Sequence, residues 1–445
     1  MATTYLTRTP SSAGNRTKWT WSAWIKISIP DGSTNATSEI FYAHDSSSYY
    51  FGIRKTATGL RIVQYNDGGT DFDVRTSALL KDVNAWSHLT VTYDSAQSTA
   101  ADRIKIYING VLQTSFTNAT YPSQNFESDV NRTTVHAIGR RNHNSDNYFV
   151  GSMSHIHFCD GYAYSASDFG STDSTTGEWK INTSPSVSYG TNGFFILKNG
   201  NSVTDQSGQS NNWAVSGGTL TKTEDCPSNV FATWGSTYWV AATFANGNTS
   251  ITTQGSSNYA FNASTLAFNK GKFYWENKIT STSTDMFGIS GRYEAGGTQN
   301  ELGHHADQYG FNTEDGTIRN NNSNSSFGSA CNTNGNIIQI AVDCDNLKMY
   351  VGVNGTWQNS GVPTSGSTGT GAYSIGALST TTDGFYFPAI GDWSSGAGSY
   401  QTNFGNGYFG TTAVSSAGTN ASGNGIFEYD VPTGYTALST KGLNL

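Results

Sequence analysis

The sequence predicts an all-β protein: two antiparallel β-sandwiches in tandem, followed by a short C-terminal extension. Three observations carry this expectation. At 445 residues the chain exceeds a single core of about 100–200 residues, so more than one domain is expected. Charged residues make up only 13%, about half the roughly 25% of ordinary soluble domains, while glycine reaches 50 residues and aromatics 13%. The helix formers Leu, Glu and Lys are scarce beside Tyr, Trp, Phe, Val and Thr, which suit a pleated, half-buried surface. Long helices and coiled coils are thereby excluded.

Taken in order, the elements read as follows. Residues 19–29 alternate, with Trp19, Trp21, Ala23, Ile25 and Ile27 on one face and Thr20, Ser22, Lys26 and Ser28 on the other, as in a strand buried on one side. Leu89, Val91 and Tyr93 alternate after Trp86. Ile104, Ile106 and Ile108 do so before Asn109-Gly110, a pair that tolerates positive φ and predicts a tight hairpin. Further strands are expected at 137–139, 148–158 and 194–197, and the first half closes near Trp213.

The pattern lapses from 217 to 233, where Asp225-Cys-Pro-Ser-Asn229 is turn chemistry. Alternation resumes with Phe273, Trp275 and Ile279, then Ile338, Ile340 and Val342, then Leu347, Met349, Val351 and Val353, and finally Phe385, Phe387 and Ala389. A second hairpin is expected at Asn354-Gly355. The predicted organisation is a sandwich over 1–215, a linker over 216–250, a second sandwich over 251–410 and an extension over 411–445.

Against 24 Lys plus Arg stand 32 Asp plus Glu, a net charge of -8 that opposes contact with a phosphate backbone, so nucleic acid is not an expected partner. No apolar run approaches the roughly 18 residues of a membrane span, and the polar opening at 1–10 does not read as an export signal. The four cysteines, at 159, 226, 331 and 344, are too widely spaced for a zinc knuckle or a disulfide framework, which points to a reducing compartment.

Four segments resemble a laminin-G/concanavalin A-like lectin domain: Trp21-Ser-Ala-Trp-Ile-Lys26, Ala85-Trp-Ser-His-Leu-Thr-Val-Thr-Tyr-Asp94, Ile104-Lys-Ile-Tyr-Ile-Asn-Gly110, and Ile138-Gly-Arg140 with Phe149-Val-Gly-Ser-Met153. Gly271-Lys-Phe-Tyr-Trp-Glu276, Tyr309-Gly-Phe311, Tyr386-Phe-Pro-Ala-Ile390 and Asn403-Phe-Gly405 resemble a SPRY domain. The opening at 5–16, the 225–233 stretch and Pro432-Thr-Gly-Tyr-Thr-Ala-Leu438 are similar to segments of structural proteins from tailed phages, notably those of marine and cyanobacterial hosts. The resemblance implies a jelly-roll/concanavalin A-like architecture. It also implies a virion structural protein, made in the host bacterial cytoplasm and displayed on the particle as a capsid decoration, knob or tail appendage.

The candidate chemistry is sparse. Glu127-Ser-Asp129 is the nearest approach to the paired carboxylates of a glycoside hydrolase, but Arg132 stands where a retaining enzyme of this fold would offer a further Glu. His155 and His157 share a strand face and could hold two ligands of a metal, with no third ligand in local spacing. The lectin likeness implies calcium on loop oxygens, for which Asp67, Asp71 and Asp146 are the candidates. No nucleophile elbow, Walker sequence or H-E-x-x-H is present.

Aromatic faces stack on the apolar side of sugars, and the loop aromatics Tyr49, Tyr50, Trp357, Trp393 and Tyr400 are the candidates for glycan or partner contact. A non-enzymatic virion protein is therefore expected, without a cofactor unless calcium. It would bind neighbouring virion proteins and host-surface glycans, and homo-oligomers are expected. The alternative is a depolymerase of a tail spike or fibre, whose carboxylate pair would have to come from separate strands.

Overall fold

The alternation at 19–29 becomes the Lys18–Ile27 strand, and its five expected inward residues are buried in one apolar cluster. The structure, a computed structural model, describes residues 3–33, 37–236, 242–253, 259–293, 301–392 and 396–444. It divides into two units, Met1–Lys222 and Thr223–Leu445.

Among the described residues, the first unit pairs an eight-stranded with a six-stranded antiparallel sheet. The eight-stranded sheet runs Phe116–Thr120, Gly69–Thr76, Gly59–Asn66, Tyr49–Thr56, Ser38–Ser46, Val135–Ile138, Tyr5–Arg8, Ala214–Gly217. The other runs Phe194–Ile196, Gly151–Asp160, Lys18–Ile27, Trp86–Asp94, Ile104–Ile108, Val111–Leu112. Trp19 stacks on Tyr93 at 5.0 Å and meets Phe51 of the opposite sheet edge-on at 5.4 Å, so aromatic pairs tie the two layers together.

The strand at 18–27 is not one-sided. Thr20, Ser22, Lys26 and Ser28 are also buried, and over Thr20 and Ser22 the chain after Asp160 folds back across the outer face. Thr20 Oγ1 donates to the Tyr162 carbonyl at 2.9 Å, and Trp179 lies over Gly110 and Gly170, where an added Cβ would meet its ring. Polar residues on that face therefore find protein partners instead of water.

The predicted hairpin is present: Asn109 (φ 49°) and Gly110 (φ 79°) link Ile104–Ile108 to Val111–Leu112 with both central residues left-handed. Gly110→Ala is expected to destabilise the first unit by about 1–2 kcal/mol from backbone strain alone, and further because the new Cβ would lie 2.4 Å from Trp179. A urea midpoint equal to that of the unsubstituted protein would contradict this.

The second unit also pairs two main sheets among its described residues. The first contains Ala242–Ala245, Ser250–Thr253, Ser399–Asn403, Lys272–Ser281, Ile337–Asp343, Lys348–Val353 and Thr356–Trp357. The second contains Ala260–Ala263, Phe387–Asp392, Asp285–Ser290, Gln308–Asn312, Thr317–Asn320 and Ser323–Ser326. Asn354 and Gly355 form the second hairpin with φ of 48° and 84°.

The stretch expected as a linker, 216–250, is divided between the units. Ala214–Gly217 pairs with Tyr5–Arg8 in the first. Phe231, Ala232 and Trp234 are buried in the second, where Trp234 Nε1 donates to Thr402 Oγ1 at 3.0 Å. The expected extension is likewise part of the second core: Phe427, Tyr435 and Leu438 are buried, and Thr436–Ala437 adds parallel to Lys272–Ser281. Short apolar stretches among Gly, Ser and Asn carry no periodicity, so their burial was not readable from pattern.

Candidate functional site

A ladder of aromatic and charged side chains lies on the outer face of the eight-stranded sheet, partly exposed at Tyr50, Arg61, Tyr65 and His143 and buried at Tyr42 and Arg54. Residues of Tyr49–Thr56 and Gly59–Asn66 whose neighbours Phe51, Ile53 and Ile62 point into the core must face outward, and these are Tyr50, Arg54, Arg61 and Tyr65. Tyr50 and Tyr65 are direct cross-strand partners with ring centroids 4.8 Å apart. The ladder continues from Tyr50 to His143 at 5.2 Å and to Tyr42 at 5.5 Å, then from Tyr42 to His44 at 5.5 Å. The Tyr42 hydroxyl is hydrogen-bonded to His143 Nδ1.

Guanidinium groups frame the ladder: Arg61 lies over Tyr65 and Arg54 over Tyr50, each 5.8 Å from the ring centroid. Each arginine is charge-balanced. Arg61 forks onto Asp73 at 2.9 and 2.8 Å, Arg54 pairs with Glu39 at 3.2 Å, and Arg141 donates from Nε to Asp146 at 2.7 Å. Gly52 leaves the room that Glu39 occupies, since a Cβ there would lie 2.2 Å from its Oε1. Burial pushes the Glu39 carboxyl up to about 7 against the pull of Arg54, and burial holds His44 and His143 below the ordinary imidazole range. The face therefore carries fixed rings, with the Arg61–Asp73 pair beside them and the Arg54–Glu39 pair buried beneath.

The sequence candidates fall unevenly on this picture. Tyr49 is 39% exposed and Tyr50 joins the ladder, but both belong to a strand and not to a loop. Asp146 is tied to Arg141 by an ion pair. Asp67 sits in the turn after Asn66, and Asp71 accepts a hydrogen bond from Asn66.

Tyr400 is a correction: it is 1% exposed, its Oη donates to Asp285 Oδ1 at 2.5 Å, and its ring packs edge-on to Phe287. Trp357 is a second, since it is partly buried in a short strand against Tyr274 and Tyr350. Trp393 lies outside the described residues. Tyr65, Tyr42 and His143 were missed. The signal was the register, because a two-residue turn after Thr56 sets Tyr65 opposite Tyr50.

The other polar candidates are engaged locally. Glu127 accepts from Arg16 at 2.5 Å and Asp129 from Arg132 at 2.9 Å. His155 and His157 both lie against Phe195, at 5.6 and 3.9 Å, and His157 is buried with Nδ1 2.9 Å from the Tyr189 hydroxyl. A bulge interrupts the strand pairing between Ser154 and His157, and both imidazoles turn toward Phe195. Among the described residues no three His, Cys, Asp or Glu side chains gather as a metal would need.

Ser22 and His88 are in hydrogen-bond contact at 2.8 Å, as a nucleophile and base would be. The Trp179 indole N–H, which can only donate, points at His88 Nδ1 at 3.0 Å, so the proton of the neutral ring sits on Nε2 and faces Ser22. That tautomer cannot accept the serine proton.

Separate strands of the second unit do bring two carboxylates together. Asp285 and Asp392 are cross-strand partners, 0% and 2% exposed. Thr253 and Ser283 donate to Asp392 at 2.6 and 2.9 Å, and burial, with Asp392 adding to it, raises Asp285 to about 7. The pair is sealed beneath the sheet surface.

Comparison with known proteins gives partial likenesses. Among curated proteins no relative matches. Two solved structures are similar at low identity. The crystal structure of the SPRY domain of human HERC1 is 14% identical, covering 38% of this chain and 96% of that one, with a TM-score of 0.30. A human SPRY domain is 18% identical, covering 37% and 95%, with a TM-score of 0.27. Residues 2–168, which hold most of the first sandwich and the whole ring ladder, match the laminin G family model described as the concanavalin A-like lectin/glucanases superfamily.

Proposed function

We propose that the chain is a non-enzymatic binding protein on the surface of a tailed-phage particle. It is displayed as a capsid decoration or knob, or on a tail appendage, and holds neighbouring virion proteins and host-surface glycans. The observation that carries the binding reading is the ring ladder Tyr65–Tyr50–His143, fixed by cross-strand pairing and framed by charge-paired arginines. Rings held in place by a sheet lose little conformational freedom when a sugar's C–H face or a partner's apolar side chain stacks on them. The lectin-like family match over the same residues agrees with this use. The particle setting is supported by the order of phage-like segments along the chain. Homo-oligomers belong to the same proposal.

The depolymerase reading is the less favoured one. Glu127 and Asp129 are each engaged by an arginine, and Asp285 and Asp392 are closed to substrate.

Antibody labelling of purified particles is expected to decorate their surface, and absence of the chain from particles would overturn the setting. Host-surface polysaccharide is expected to be retained by the immobilised protein with no release of reducing ends. Replacing Tyr50 and Tyr65 together by Ala should weaken retention about tenfold, for a loss of about 1.4 kcal/mol. Released reducing ends would overturn the non-enzymatic reading.

A further inference from the structure

The six-stranded sheet of the first unit carries an opening on its outer face. It is a groove of about 510 Å³ lined by residues that include Lys18, Asp94, Asp102, Lys105, Tyr107 and Tyr162, a size within the range of small-ligand sites. One wall is aromatic. Tyr162 and Tyr164 lie with ring centroids 5.7 Å apart and planes 15° from parallel. Tyr164 is held from behind, since its hydroxyl accepts from the Ser188 N–H at 2.8 Å and its ring meets Phe169 edge-on. Tyr162 is 41% exposed, a free face on a fixed support.

The rest of the lining is polar and neutral in sum. Lys18 pairs with Asp94 and Lys105 with Asp102, each at 3.2 Å. Asp94 is 6% exposed, and its Oδ2 takes both Lys18 and Gln97, whose amide donates at 2.8 Å. Its Oδ1 has no hydrogen-bond partner in this setting. That oxygen is itself closed off, so the carboxylate open to the groove is that of Asp102, whose side chain is 46% exposed.

We propose that this groove is a binding site for a neutral oligosaccharide, whose ring stacks on Tyr162 while its hydroxyls donate to the Asp102 carboxylate and accept from Lys18 and Lys105. Phosphate, sulfate and uronate ligands are disfavoured because Asp94 and Asp102 would face their charge. A purely apolar ligand would leave the lysines and carboxylates unanswered. The site is on a different sheet face from the ring ladder, so it stands or falls separately from the binding reading made there.

The test uses the full chain and titration calorimetry with maltohexaose, cellohexaose, laminarihexaose, xylohexaose and mannohexaose, and with hexagalacturonate as the anionic probe. At least one neutral hexasaccharide is expected to bind. Tyr162→Ala should weaken it at least tenfold and Lys105→Met about threefold, with the melting temperature of each variant confirming the fold. Replacing Tyr50 and Tyr65 should leave this binding unchanged. The proposal is overturned if no neutral hexasaccharide binds, if Tyr162→Ala binds as well as the unsubstituted chain, or if hexagalacturonate binds more tightly. It is also overturned if the Tyr50 and Tyr65 replacements abolish the binding.

Discussion

Lowering the pH from 7.5 to 5 is expected to move the unfolding transitions of the two units in opposite directions, the first downward and the second upward. In the first unit burial depresses His88 to about 3 and His136 to about 4, and holds His157 well below the ordinary range. The folded state binds fewer protons at these sites than the unfolded chain. Their stability contribution is therefore complete above about 6.5 and is lost as pH falls toward the folded values. Each such imidazole withdraws about 2 kcal/mol at pH 5. Glu39, raised to about 7, and Asp129, raised by burial, act in the opposite sense and return part of that. His155, which burial lowers to about 4, adds to the loss, so the balance is a net destabilisation of the first unit and a lower transition temperature at pH 5.

In the second unit the sign reverses. Burial raises Asp285 to about 7, and raises Glu276 to about 7 against the donors around it. The folded state holds protons that the unfolded chain releases between about 4 and 7, so stability is greatest at the acid side of this window and falls as pH rises through 7. Asp307, whose carboxyl is lowered although burial acts against it, because Arg292 and Thr382 hold its charged form, loses its contribution only below the ordinary aspartate range and does not intrude. Scanning calorimetry at the two pH values reads both effects. Asp285→Asn identifies the second transition by stabilising it about 2 kcal/mol at pH 8 and little at pH 5. Two transitions moving together would refute the account.

Glu276→Ala is expected to cost the second unit about 3–5 kcal/mol. The Glu276 carboxylate accepts from the backbone N–H groups of Glu428 and Tyr429 and from the Tyr274 hydroxyl, each at 2.9 Å, and from the Asn403 amide at 3.2 Å. Removing it leaves four donors without an acceptor, two buried and two part-buried, and releases the segment that carries Phe427 over the sheet. Limited proteolysis should then cut within 411–430 before the rest of the unit, while Glu276→Gln, which keeps one acceptor oxygen, should be cut more slowly. If Glu276→Ala melts and resists protease like the unsubstituted chain, the C-terminal segment is held by its apolar contacts alone.

Alternation made the strands legible. Trp19 to Ile27, Ile338 to Val342 and Met349 to Val351 were readable because a period of two has one structural meaning, and Asn109-Gly110 and Asn354-Gly355 because few residue pairs accept two left-handed positions. The candidate site was only half legible. Tyr50 was read as a free aromatic, but its partners Tyr65 and His143 come from another strand and a distant turn. Tyr400, expected as a loop aromatic free for contact, instead lies in a strand with its hydroxyl on a buried carboxylate 115 residues away.

The sequence by itself determined that the chain is all-β, where its strongest strands and hairpins lie, and which residues face inward, since these follow from backbone sterics and side-chain period within a few residues. Only the tertiary structure decided which outward faces are covered, which aromatics stand in the open and which carboxylates are buried. Those depend on contacts between residues tens to hundreds of positions apart, and local pattern holds no record of them.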